Sequence, residues 1–247
     1  MTTHRVVTRD EWLRERLQHL EREKEFTRFR DHLSAERRAL PWLKVDKSYV
    51  FDGSSGPVSL EDLFGGRHQL IVQHFVFDPS WDEGCKSCSF WVDNFDGIDV
   101  HLAHRDVSFV LISRAPIATL EAYRKRMGWR LRWVSSEHTD FNRDYYVSFT
   151  PEELAEKRAY YNYRYGSFAV AEAPGVSVFY RDDDGTIYHT YSCYARGLDM
   201  LNGAYHLLDL VPKGRDEDTL SYSMEWLRHH DRYDDRPPIA IGALRAR

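Results

Sequence analysis

Cysteine is scarce in this sequence, with three residues in 247. That is too few for the disulfide framework of a small secreted scaffold. No apolar run approaches the roughly 20 residues of a membrane span, so no membrane partner is expected. The opening stretch, Met1-Thr2-Thr3-His4-Arg5, lacks the apolar core of a signal peptide. An excess of positive charge is missing too. A net charge of −5 and a pI near 6.2 give no electrostatic case for nucleic acid. Repeats and low-complexity tracts are absent. What is present, 42% hydrophobic and 30% charged residues, describes an ordinary soluble globular chain with length for one sizeable core. The default expectation is a cytoplasmic, reducing location, where a C-x-x-C is redox-active or metal-binding rather than structural.

Residues 8 to about 38 read as helix in two pieces. Thr8-Arg9-Asp10-Glu11 fits a capping box. Leu13, Leu17 and Leu20 form one apolar stripe; Phe26, Phe29 and Leu33 form another. Residues 1–40 hold ten basic and eight acidic side chains, a mixed solvated face suited to a packing helix or a homodimer element. An N-terminal helical extension, 1–45, therefore precedes the main domain, 46–232.

Within that domain Gln69 to Phe77 is a buried strand. Cys88, Trp91, Val92, Phe95, Ile98 and Leu102 then recur at helical spacing. Val107–Ser113 is a second buried strand, and Thr119–Met127 a helix closed by Gly128. The succession implies a parallel pair with a crossover helix. Residues 129–172 read as an insertion covering one sheet edge. Thr150-Pro151-Glu152-Glu153 starts a helix inside it. Val176–Tyr180 and Thr186–Ser192 form a hairpin around Asp184-Gly185. Leu198, Leu201, Tyr205, Leu208 and Leu210 mark a final core helix, Trp226 and Leu227 a short one, and 233–247 a loose tail.

The chemistry centres on Cys85-Lys86-Ser87-Cys88. A strand, a short loop and a C-x-x-C at a helix start place the first sulfur where free N–H groups and the helix dipole favour an anion. The thiolate is the nucleophile, and a second cysteine one turn on can close the disulfide. Lys86 and the dipole lower the thiol pKa while Asp82 and Glu83 raise it, so the sign of the net shift stays open. The bland reading is two half-buried cysteines at helical spacing, or half a zinc site. Closed zinc sites need four ligands, and no second C-x-x-C exists.

These segments resemble the thioredoxin fold. In detail they are similar to a thioredoxin-like family of unknown function, DUF899, whose label is a dithiol–disulfide oxidoreductase. The likeness is carried by Gln69–Asp78, Trp81–Trp91, Asp93–Gly97, Ser113-Arg114-Ala115-Pro116, Tyr123–Trp129, Ala173–Tyr180 and His189–Gly197. It implies an α/β, thioredoxin-like domain with an N-terminal helical extension and a central insertion. It also implies that Pro174 is a cis-proline facing the dithiol and presenting substrate backbone. Cys193 departs from the pattern, standing where relatives are expected to carry Thr.

If strand 176–180 starts at the active-site end, strand 186–192 finishes there and brings Cys193 near Cys85 and Cys88. Cys193 is then an extra redox partner, a soft-metal ligand or a small buried hydrophobe. Trp81 crowds the site, and Arg196 just beyond can favour a thiolate or bind an anionic substrate. His74 and His189 are candidate third ligands of a copper-like site, or satisfied core histidines. Ser135, Ser136 and His138 lack a nucleophile elbow and do not make a hydrolase. The leading expectation is an enzyme without cofactor or resident metal, exchanging disulfides with a small-molecule or protein thiol partner. Cys85 attacks, Cys88 resolves and Pro174 orients. A peroxidase-like variant uses the same residues. The alternatives are a soft-metal binding module built on Cys85, Cys88 and a nearby His or Cys193, and a redox-inactive dimeric scaffold.

Overall fold

The computed structural model describes residues 4–233 and divides into two units, Met1–Trp42 and Leu43–Arg247. The tail expected over 233–247 lies, from residue 234 on, outside the described residues. The first unit holds one 30-residue helix, α1 (Arg9–Arg38). The Thr8 hydroxyl accepts the Glu11 N–H at 3.3 Å and the Glu11 carboxylate accepts the Thr8 N–H at 3.1 Å, the reciprocal cap read from the sequence. The expected break into two pieces does not occur. The stripe changes face between Leu20 and Phe26, but no glycine or proline interrupts residues 9–38. None of its residues is buried, and Trp12, Leu13, Leu17, Phe26, Phe29 and Leu33 are exposed.

The second unit runs β1 (Leu43–Lys44), β2 (Val50–Gly53), β3 (Gly56–Ser59), α2 (Leu60–Leu63), β4 (Gln69–His74), α3 (Lys86–Phe95), α4 (Asp99–Ala103), β5 (Val107–Ser113), α5 (Ile117–Arg126) and β6 (Arg132–Ser135). It continues with α6 (Phe141–Asp144), α7 (Pro151–Ala155), β7 (Ala159–Tyr161), β8 (Arg164–Gly166), β9 (Gly175–Arg181), β10 (Ile187–Tyr194), a 3₁₀ turn at Ala195–Leu201 and α8 (Gly203–Leu208). Eight strands form one sheet in the order β1-β10-β9-β4-β5-β6-β2-β3. The pairs β4–β5 and β5–β6 are parallel, and β9 returns antiparallel along β4 with Gly175 opposite His74. A dithiol helix leaving the central strand, a parallel neighbour on one side and an antiparallel hairpin on the other make this a thioredoxin-like fold. The helix-starting Thr150 and the Asp182–Gly185 turn form as the sequence indicates.

Alternation along β4 sorts the core into two layers. Leu70 and Val72 pack with Phe51, Leu63, Val110, Ile112, Phe141 and Phe179 on one face. Ile71 and Phe75 pack on the other with α3 and α5, among Cys88, Trp91, Val92, Leu111, Tyr123, Trp129 and Trp133. Full burial of such side chains contributes roughly 1.5–3 kcal/mol each.

Three local expectations change. The 129–172 insertion begins with β6, a strand of the sheet itself, because Trp133 and Val134 each bury on opposite layers. The final core helix is a 3₁₀ turn followed by the short α8. Leu198 and Tyr205 are buried, but Leu201, Leu207 and Leu210 are exposed, and the helical run is broken at Asn202. Trp226 and Leu227 sit in irregular backbone, held by packing. No helix among the described residues is long and apolar enough to cross a membrane.

Candidate functional site

β4 delivers the chain to the site. Phe75 N–H still bonds to Ile112 C=O, after which the backbone leaves the sheet and loops over Asp78–Gly84. The loop closes on itself, Cys85 N–H donating to Val76 C=O at 3.0 Å. A Cβ on Gly84 would fall 2.6 Å from Phe75 Cε1 and 2.9 Å from Tyr123 Cε1, so only glycine allows this approach. Cys85 is thereby the N-cap of α3, with Ser89 N–H and Oγ both donating to its carbonyl.

Both cysteines are free thiols; Cys85 is half-buried and Cys88 is 2% exposed. Val76 N–H donates to Cys88 Sγ at 3.5 Å. The Cys85 thiol is drawn down to about 6, first by hydrogen bonding from the Cys88 thiol, then by the N–H groups of Cys88 and Ser87. These groups outweigh the burial that pushes the other way. The two N–H groups face the sulfur without closing a cap bond of standard geometry. Cys88 goes well up, because its proton is held toward the Cys85 sulfur and because it is buried. The sign left open by the sequence is thus a lowered first thiol and a raised second one. Lys86 is not the agent. Its Nζ donates to Glu225 C=O at 3.2 Å.

Glu172 escaped the sequence reading. It is 2% exposed, neither of its oxygens makes a well-formed hydrogen bond, and Arg114 Nη1 lies 3.4 Å from Oε1. Burial pushes its carboxyl up to about 7, against the opposing pull of Arg114, and its charge acts on Cys88. The signal was an isolated acid in Ala169-Val170-Ala171-Glu172-Ala173, directly before Pro174.

Pro174 stands where the dithiol loop leaves the sheet, but the expected cis peptide is corrected: the described residues contain none. Phe149 N–H bonds to Ala171 C=O and Ala173 N–H to Val147 C=O, which holds the approach to β9 extended, as a trans bond continues it. The Pro174 carbonyl accepts from Tyr161 OH at 2.7 Å and does not face open solvent as a free acceptor. Cys193 lies opposite Val176 and packs on the same core layer as Cys85, at the strand end the topology argument assigned to it. Trp81 packs half-buried on that layer. Arg196 is turned to Asp199, which also takes Arg215, and lines a cleft of about 470 Å³ whose walls include neither Cys85 nor Cys88.

His74 and His189 are not ligand candidates for the sulfurs. Their rings pack among Phe141, Tyr145 and Phe179 on the opposite layer. There His74 Nε2, Ser177 Oγ, Ser192 Oγ and His189 Nε2 form a chain with spacings of 2.8, 2.7 and 2.7 Å. Among the described residues the one trio of converging His, Cys or acidic donors is Asp52, Glu137 and His138, at the contact of β2 with β6. Among the described residues no cluster of three converging donors includes Cys85 and Cys88.

A family model described as "Bacterial protein of unknown function (DUF899)" matches residues 1–233. The chain belongs to the DUF899 family. No curated protein matches it. Among solved structures it is similar to peroxidoxin BcpB from Mycobacterium tuberculosis, at 11% identity over 66% of this chain and 92% of that one, with a TM-score of 0.44. It is also similar to peroxiredoxin Q of Xanthomonas campestris, at 12% identity over 64% and 90%, TM-score 0.42. A candidate thiol:disulfide interchange protein DsbE from Chlorobium tepidum aligns at 12% identity over 68% and 94%, TM-score 0.37. The strand order and register given above, and not these alignments, carry the fold assignment.

Proposed function

We propose that this DUF899 protein is a thiol–disulfide oxidoreductase acting through Cys85 and Cys88. The observation that carries the reading is the asymmetry of the pair: a half-buried, acidified thiol at a helix N-cap backed by a buried, proton-retaining one. The Cys85 thiolate attacks one sulfur of a small-molecule or protein disulfide, and the other substrate sulfur leaves as a thiolate. Cys88 then gives its proton to the departed substrate thiolate and attacks Cys85 Sγ, with the Glu172 charge acting on it through space. The second substrate thiol departs, the substrate is reduced to two thiols, and the dithiol becomes a disulfide. An external thiol of a reducing, cytosolic setting restores it.

The same groups suit a peroxide. Cys85 then takes one oxygen as a sulfenic acid with release of an alcohol or water, and Cys88 condenses with loss of water. Trans Pro174 and Trp81 remain at the rim as substrate-contact residues in this proposal, and Cys193 as a third thiol on the same layer. The exposed apolar row of α1 supports a homodimer alongside this activity.

The test is trapping. Cys88→Ser incubated with an aromatic disulfide should accumulate a mixed disulfide on Cys85, located by peptide mass mapping. A mixed disulfide on Cys193 alone, or none, would overturn the assignment.

A further inference from the structure

β2 meets β6 at one antiparallel bridge, Asp52 opposite Ser135. Beside it the turn at residues 53–55, the edge of β6 and α5 enclose a cleft of about 290 Å³. Its walls include neither Cys85 nor Cys88, so the cleft stands apart from the dithiol reading. The lining carries three guanidiniums, Arg124, Arg130 and Arg132, against one carboxylate, Glu121. On a chain whose net charge is −5, that is a local reversal of sign.

The three arginines are not equally committed. Arg124 is spent: Nε and Nη2 donate to Glu121 Oε2 at 3.1 and 2.6 Å, and Nη1 donates to the Trp129 carbonyl at 3.4 Å. Arg132 donates Nη1 to the Asp62 carbonyl at 3.1 Å and makes no ion pair among the described residues. The Arg130 side chain is 73% exposed. Its Nε stands a loose 3.7 Å from Asp96 Oδ2, while Asp96 Oδ1 takes the Arg130 backbone N–H at 2.7 Å. Arg130 and Arg132 therefore keep most of their donors for a ligand. The neighbouring Trp133 adds an unmet donor to that wall: it is 3% exposed and its Nε1–H is buried without an acceptor.

Guanidinium forks match the oxygens of phosphate and carboxylate alike, and charge separates the two. Glu121 neutralises Arg124, which leaves two positive charges in the lining for a ligand to balance. A phosphate group carries about −1.5 to −2 at neutral pH, and a lone carboxylate carries a single charge. The volume lies at the lower limit of ligand clefts and fits a small molecule. We propose that this cleft binds a small molecule through its phosphate group, with Arg130 and Arg132 as the contacting residues and Arg124 as a fixed neighbouring charge.

The experiment titrates inorganic phosphate and glycerol 3-phosphate, each in turn, into the reduced full-length chain at constant ionic strength. Calorimetry reads the affinity, and the assigned Trp133 indole N–H resonance reads the location. Both ligands should bind saturably and move that resonance, and acetate should bind at least about tenfold more weakly. Arg132→Gln should weaken phosphate binding at least about tenfold, and the more exposed Arg130→Gln about threefold or more. Arg196→Gln removes the same charge from the separate cleft at Asp199 and should leave the affinity within about twofold. Absence of saturable binding, equal affinity for acetate, an unmoved Trp133 resonance, or a loss in Arg196→Gln as large as in Arg132→Gln would overturn the proposal. None of these readings passes through the sulfurs, so their failure leaves the dithiol reading untouched.

Discussion

The two faces of the central strands bury polar groups in opposite ways. On one face, His74, Ser177, Ser192 and His189 hand hydrogen bonds along a short chain among aromatic rings. Burial there drives both imidazoles toward the neutral form, His74 to about 3, so the chain carries no charge at neutral pH. On the other face Cys85 is acidified, Cys88 is held protonated and Glu172 keeps two oxygens without well-formed hydrogen bonds. Paired neutral groups in a core are structural cement. Groups held near the edge of ionisation are the expense a fold accepts for chemistry.

The comparison is sharpest at the nucleophile. Cys85→Ser should lower disulfide reduction by at least about a hundredfold, because it removes the acidified thiol at the α3 N-cap. An activity within a few fold of wild type, assayed with an aromatic disulfide, would erase the distinction between the faces.

Glu172 gives the next largest effect and a sign. Its carboxyl stands raised to about 7 in the folded chain against an ordinary 4.5. Its stabilising contribution is therefore complete below about pH 4.5 and is lost as pH rises through about 7, an order-of-magnitude loss of about 3 kcal/mol. Urea unfolding of the wild type should weaken between about pH 5 and pH 8.5. Glu172→Gln should flatten that dependence, and an unchanged slope would remove Glu172 as its cause.

Gly84→Ala probes the loop. The added methyl meets Phe75 and Tyr123 below 3.0 Å, so a destabilisation of about 1–3 kcal/mol is expected together with slower Cys85 alkylation. Loss of stability without change in alkylation would detach Gly84 from the site.

The smallest effect belongs to the opposite face. Ser192→Ala removes the hydroxyl shared by Ser177 and His189 and should cost about 1–2 kcal/mol in urea unfolding. Its Cys85 alkylation rate should match wild type, and a clear change there would mean the two layers communicate.

How much of this was legible depended on how local the cause is. The α1 cap, the strand before Cys85, the crossover helix and the Asp-Gly hairpin rest on contacts between near neighbours in sequence, and they can be read directly. The dithiol was equally plain, since a strand, a loop and C-x-x-C are contiguous. Glu172 was not, because the residue its charge acts on, Cys88, lies more than eighty positions away and is brought near only by folding. For His74 and His189 two readings stood open, metal ligand or satisfied core residue, and the structure bears out the second. Strand alternation puts them on the layer away from α3, a matter of register that residue type does not disclose. β6 was hidden in the supposed insertion because its four residues, Arg132–Ser135, are too short to show a period.

The most direct measurement is alkylation of the reduced protein across pH, read at each cysteine by peptide mass. The expected result is modification of Cys85 with a midpoint near its acidified value of about 6, while Cys88 stays unmodified until the chain is unfolded. Cys88 reacting first, or Cys85 reacting only in the range of an ordinary thiol, would contradict the division of labour on which the redox assignment stands.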